Sequence, residues 1–262
     1  MAGLFYPEKP QALKDLITDL LRQAGSQGKR ERAVAVVVPH GPYRLSGAVA
    51  AAVYAQVRMT ETVVIVGPPH SGSEQGIATA GVWETPGGQL PVDRELARAI
   101  LKSVGALKKN PKAHEEEHSI EVQLPFLRHL GEVRRFVPVL IAPADPETLR
   151  GIGRGIARAL RSRRQEATLI CSTQLTRYEP DREAQRKDAW AIQALLDLDE
   201  ERLLRGISEQ GLSLCGAAPA VVVLSAAKTL GASRAVLVRH EVSNPGGGEP
   251  DSVVGYAGVV VR

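Results

Sequence analysis

Apolar runs dominated by valine and isoleucine recur at 33–38, 62–67, 136–141, 168–172, 235–239 and 253–261, and they limit this chain's choice of fold more than any other feature. Continuous runs of this kind suit strands buried on both faces. Helical patterns fill the intervals. Leu13, Leu16, Ile17, Leu20 and Leu21 fall at i, i+3, i+4, i+7 and i+8 of an amphipathic first helix, and 93–104, 117–130, 147–161, 182–196 and 218–230 also read as helices. Strand and helix in alternation, with no long linker, predict a single α/β domain over 1–262, with a largely parallel central sheet and helices on both faces.

At 262 residues the chain can bury a sizeable core, and 44% hydrophobic with 24% charged residues is ordinary for a globular protein. Aromatics at 4% leave few platforms for stacking the bases of a single strand. The net charge of +4 is mildly basic. Arg150, Arg154, Arg158 and Arg161 share a helix face opposite Ile152, Ile156 and Leu160; without a recognition motif they read as a solvated face. Neither nucleic acid nor membrane is therefore an expected partner. No apolar run approaches the roughly 20 residues of a membrane-spanning helix, and the N-terminus lacks a leader's basic start and apolar block. A cytoplasmic protein is expected, with Cys171 and Cys215 reduced. The stretch "NPGGGEPD" at 244–251 reads as a surface loop or as a flap over a site.

Two segments resemble each other, "AVAVVVPHGPYRLSG" and "TVVIVGPPHSG". Each is a strand ending in a proline-containing turn that presents a histidine, His40 in one and His70 in the other. Ligands of open α/β sheets bind outside the carboxyl ends of the strands, where both imidazoles are expected. Cys215, in "SLCGAAPAVVV", precedes a helix start marked by Pro219, a position that favours thiolate. Two imidazoles and a thiolate would make a three-ligand site for zinc, copper or iron. The plainer reading also stands at this point: each histidine stiffens its turn and Cys215 is an inert core residue. Cys171 falls inside an apolar strand and reads as a small hydrophobe.

"AHEEEHSIEVQLPFL" contains His-Glu-x-x-His, the zinc-protease spacing, at His114 and His118. Pro111 precedes His114 closely and the apolar period starts only at Ile120, so His114 is expected at or before the helix start. The spacing then does not make a zinc site. His118 is either a buried histidine satisfied by a carboxylate or carbonyl, or a group lining the pocket.

In order and spacing, "GLFYP", "VVVPHGPYRLSG", "VIVGPPHSG", "WETPGGQLPVD", "EHSIEVQLPFL", "FVPVLI", "SLCG" and "VGYAGVVV" resemble the Memo family, whose bacterial and archaeal members are called AmmeMemoRadiSam system protein B. The resemblance implies a fold similar to the catalytic subunit of class III extradiol dioxygenases. It also implies a metal site at His40, His70 and Cys215, holding iron or copper with zinc as an alternative. His118, Gln174 and Arg177 would line the pocket. Functional links to a radical SAM enzyme and an AMMECR-type protein follow from the family name. Three functions are then in play: a redox or oxygen-linked step on a small molecule or peptide, a non-enzymatic partner-binding role with a vestigial pocket, or a Cys215-dependent hydrolase or transferase. Two departures bear on the choice. The family shows an aspartate and a histidine where "CSTQLTRY" has Gln174 and Arg177, and an arginine cannot exchange the proton that the relatives' histidine does. Pro42 stands where the family has glycine and removes a backbone donor.

Overall fold

The computed structural model describes residues 1–25, 30–70, 75–243 and 252–262; the 244–251 segment lies outside them. Ten strands and nine helices are found among the described residues. The strands are β1 (Ala35–Val38), β2 (Thr62–Gly67), β3 (Gly76–Ile77), β4 (Val82–Thr85), β5 (Gly88–Pro91), β6 (Arg135–Leu140), β7 (Thr168–Ser172), β8 (Arg177–Glu179), β9 (Ala235–Ser243) and β10 (Val253–Val261). The helices are α1 (Pro10–Ala24), α2 (Tyr43–Gln56), α3 (Arg94–Ser103), α4 (His118–Glu121), α5 (Leu124–Leu130), α6 (Pro146–Arg163), α7 (Asp181–Leu196), α8 (Glu200–Glu209) and α9 (Ala217–Leu230).

The main sheet runs β3-β6-β2-β7-β1-β10-β8, with β9 on the other side of β10. Its centre is parallel: β6 with β2, β2 with β7, and β7 with β1. The flanking strands β3, β8, β9 and β10 join antiparallel. Every residue of β1, β2 and β7 is buried, as continuous apolar runs require when helices cover both faces. One helix layer packs α6 against α9, and α9 against β1, β2 and β7. Separately, α2 covers β1, β9 and β10, with α1 packed on α2. The fold class is therefore a mixed α/β domain around a largely parallel sheet.

Where element bounds depart from the sequence reading, the reasons are local. The single helix expected over 117–130 is two helices: Glu117 is extended and caps α4 with its carboxylate, and Pro125 sits in the first turn of α5, where a missing N–H costs nothing. α2 has no amphipathic stripe to read, because it is buried nearly all round. Pro42 is accommodated ahead of α2 at φ −56°, inside the range its ring imposes. No helix among the described residues is long and apolar enough to cross a membrane.

Candidate metal centre

β1 and β2 flank β7, so the carboxyl ends of all three strands open onto one place. His40 follows β1 by two residues, His70 follows β2 by three, and Ser172 ends β7. Gly67, the last residue of β2, has no side chain because none fits: a Cβ there would lie 2.5 Å from Ser119 Oγ. That close approach seats α4 against the strand end, tied by the Ser119 hydroxyl donating to the Pro68 carbonyl at 2.9 Å. His118, the first residue of α4, is thereby carried beside His70, with ring centroids 4.1 Å apart.

The ring nitrogens of His40 and His70 have distinct tasks. Ser172 gives its hydroxyl proton to the Ser119 carbonyl and accepts from Gln123 Nε2 at 3.0 Å, so toward His40 Nδ1, at 3.2 Å, it can only accept. His40 therefore carries its proton on Nδ1, and its Nε2 lone pair faces Cys215 Sγ at 3.5 Å. Gln123 is fixed in turn, donating to the Pro39 carbonyl at 3.0 Å and accepting from the Tyr54 hydroxyl at 2.8 Å. His70 repeats the pattern with a carboxylate: Nδ1 donates to Glu117 Oε1 at 2.8 Å, and Nε2 lies 3.0 Å from Cys215 Sγ. Glu117 is buried and also accepts the Ser119 N–H at 2.7 Å and the His70 N–H.

Cys215 is held by its backbone. Its N–H donates to the Gln174 carbonyl at 3.1 Å, and its own carbonyl accepts from Gln174 N–H at 2.9 Å and from the Thr173 hydroxyl at 2.6 Å. The next residue, Gly216, caps α9 at φ 101°, where a Cβ would meet Thr173 Oγ1 at 2.8 Å. The thiol therefore stands just ahead of a helix N-terminus.

Charge follows burial and proximity. Burial and the neighbouring His70 and His118 rings hold His40 well below its ordinary value. Burial and His70 likewise push His118 down to about 4. At His70 burial opposes the charge, but contacts with Cys215 and Glu117 outweigh it and lift the imidazole to about 9. Burial works against ionised Glu117 too, yet hydrogen bonds from His70 and Ser119 hold it at about 2. Cys171, fully buried in β7, is pushed far up by burial and stays a thiol.

Donor atoms of His40, His70 and His118 lie within 4.8 Å of one another, a cluster able to hold a metal ion. Cys215 Sγ also lies beside Nε2 of the first two. Nitrogen and sulfur bound to one ion at about 2.1 and 2.3 Å stand roughly 3.5 Å apart, and the two sulfur–nitrogen separations here are 3.5 and 3.0 Å. The residues fit such an ion, and each outer ring nitrogen already has the partner that metal-bound histidines use.

Of the pocket residues expected from sequence, His118 joins the cluster and stacks on Phe5 at 4.5 Å. Gln174 places its amide over the His40 turn, where a Cβ on Gly41 would lie 3.1 Å from Nε2. Arg177 opens β8, lies over the Tyr178 ring at 5.5 Å and adds its charge to those depressing His118. Ser172 and Gln123 carry no local sequence signal for their roles. The partial signal for Glu117 is its place beside His118 in "EHS". His114 ends a short 3-10 turn and is separated from His118 by the extended Glu117, so the two do not share a helix face.

A family model described as Memo-like protein matches residues 1–260. Among curated proteins, a MEMO1 family protein of Methanopyrus kandleri is 38% identical, with 100% of this chain and 97% of the relative covered. One from Methanocaldococcus jannaschii is 34% identical at the same coverages. Among solved structures, an uncharacterised Escherichia coli K12 protein superposes with a TM-score of 0.62 at 16% identity, covering 87% of this chain and 100% of its own; it speaks for the fold alone.

Proposed function

This chain belongs to the Memo-like protein family, and on that premise we propose a metal-binding protein in which His40, His70 and Cys215 hold the ion for a redox or oxygen-linked step on a small molecule or peptide. The observation that carries this reading is the convergence of two Nε2 atoms on one sulfur, with both Nδ1 atoms already committed to Ser172 and Glu117. Two imidazoles and a thiolate suit iron or copper, which the family resemblance favours, and also zinc. When bound, the ion would supply Lewis acidity or electron transfer beside an open position.

The surrounding residues take the remaining tasks. Glu117 and Ser172 orient the two rings. His118, held mostly neutral by burial and by His70, offers a third imidazole or a proton acceptor for substrate. Phe5 covers one face of its ring. Arg177 stays protonated, so ring cleavage by the dioxygenases' proton transfer is not proposed; a fixed charge suits a substrate carboxylate or phosphate instead. A functional link to a radical SAM enzyme and an AMMECR-type protein is part of the proposal.

A second reading rests on its own observation. Cys215, His70 and Glu117 stand in line at 3.0 and 2.8 Å, the order of nucleophile, base and orienting carboxylate in a cysteine hydrolase or transferase. Mass-mapped alkylation with iodoacetamide separates the two. A coordinated thiolate is protected as purified and reacts once a chelator is added. Rapid labelling from the outset, unchanged by chelator and slowed by His70→Ala, would favour the nucleophile and sink the metal reading.

A further inference from the structure

A cavity of about 460 Å³ opens at the end of the sheet opposite the histidines. It lies where the chain enters β1 and β7, between the last turns of α6 and α9. Those strands, at about 3.3 Å per residue, put roughly 15 Å of sheet between the two sites. Arg32, Arg161, Arg164 and Arg262 line the cavity against one carboxylate, Glu166, and its floor is apolar, with Val34, Leu160, Ala167 and Leu230.

Three of the arginines answer to local needs. Arg32 pairs with Glu166, Arg262 with Glu31 at 3.4 Å, and Arg161 donates to the Thr229 carbonyl at the end of α9. Arg164 does not. Its side chain has no partner among the described residues. Its backbone is also left-handed, at φ 50° and ψ 35°, where a helix end ordinarily carries glycine. An exposed guanidinium without a protein partner, on a residue with a left-handed backbone, thus stands at a cavity whose size falls within the roughly 300–1,000 Å³ of small-molecule pockets.

We infer that this cavity is a second ligand site, taking an organic anion whose carboxylate or phosphate meets the guanidiniums while its apolar body covers the floor. An inorganic anion would leave the apolar floor wet, and a neutral apolar molecule would leave the guanidiniums unanswered. The site is separate from the proposed metal centre and does not depend on it.

The test compares two probes on the full-length protein by fluorescence titration: 8-anilinonaphthalene-1-sulfonate, and N-phenyl-1-naphthylamine, which has the same rings without the anion. The sulfonate is expected to bind saturably and at least about tenfold more tightly, the size of one charge-assisted hydrogen bond. Arg164→Ala weakens it about tenfold. Arg164→Gly weakens it equally while leaving the thermal midpoint unchanged or higher, because glycine relieves the left-handed backbone; this variant separates lost binding from lost fold. Arg177→Ala and Cys215→Ser, at the other end of the sheet, leave both probes unaffected. Equal affinity for the two probes, or sulfonate binding that survives both Arg164 variants or disappears in Arg177→Ala, would overturn the inference.

Discussion

Glu117 accepts three hydrogen bonds from two residues and is buried among them, so its charge both fixes the His70 ring and makes Nε2 a better donor. Glu117→Gln keeps the shape and removes the charge. Metal affinity, read by competition with a chelating dye, should fall roughly 10–100-fold; a change within about twofold would remove Glu117 from the site's chemistry. His114 gives a cleaner test of burial, since it is no part of the cluster. Burial lowers its imidazole to about 4, against an unfolded value near 6.5. Between those values the unfolded chain binds a proton that the folded protein refuses, so stability present above pH 6.5 is lost as pH falls toward 4. The loss approaches about 3 kcal/mol by linkage. Urea midpoints of His114→Phe should fall less steeply over that interval, and curves parallel to wild type would contradict the assignment. At this scale the sequence showed His40, His70 and Cys215 because each stands at the end of an apolar strand or the start of a helix. It hid Glu117 and Ser172, whose roles depend on hydrogen bonds to residues 47 and 132 positions away.

The central strands were legible as elements because burial on both faces demands an unbroken apolar run, and β2, β7 and β10 begin and end where their runs do. α2 and the β4–β5 hairpin were not. α2 buries nearly its whole surface and shows no stripe, while β4 is half-exposed along its length. α8 did carry readable signals, an Asp199 cap with Glu200 and Glu201 in the first turn. The division of 117–130 into two helices falls at Val122 and Gln123, ahead of Pro125; both keep helical backbone angles, so the continuing apolar period conceals it. The contact between β2 and α4 has its own test. A methyl on Gly67 would meet Ser119 Oγ at 2.5 Å and force α4 away from the strand end. Gly67→Ala should cost about 2 kcal/mol of stability, in the range of overpacking penalties, and weaken metal binding through the displaced His118 and Glu117. Unchanged urea midpoints and metal affinity would show that α4 yields without consequence.

For the molecule as a whole, strand order is what makes a site of separate turns. β7 lies between β1 and β2, so residues far apart in sequence meet over its carboxyl end. A parallel centre was readable from the alternation of apolar runs with helical patterns, but the order, and the antiparallel strands added at the flanks, are set by long-range pairing that no local pattern encodes. If the ion binds only the folded protein, a hundredfold excess over its Kd stabilises the fold by about 3 kcal/mol, seen as a rise in Tm that Cys215→Ser abolishes. Metal content measures the central proposal most directly. Protein purified anaerobically without an affinity tag, analysed by mass spectrometry beside His40→Ala and Cys215→Ser, should carry near-stoichiometric iron, copper or zinc that both variants lack. Well-folded wild type holding no more metal than the variants, even after reconstitution with each ion, would contradict it and leave the Cys215–His70–Glu117 line as the chemistry to pursue.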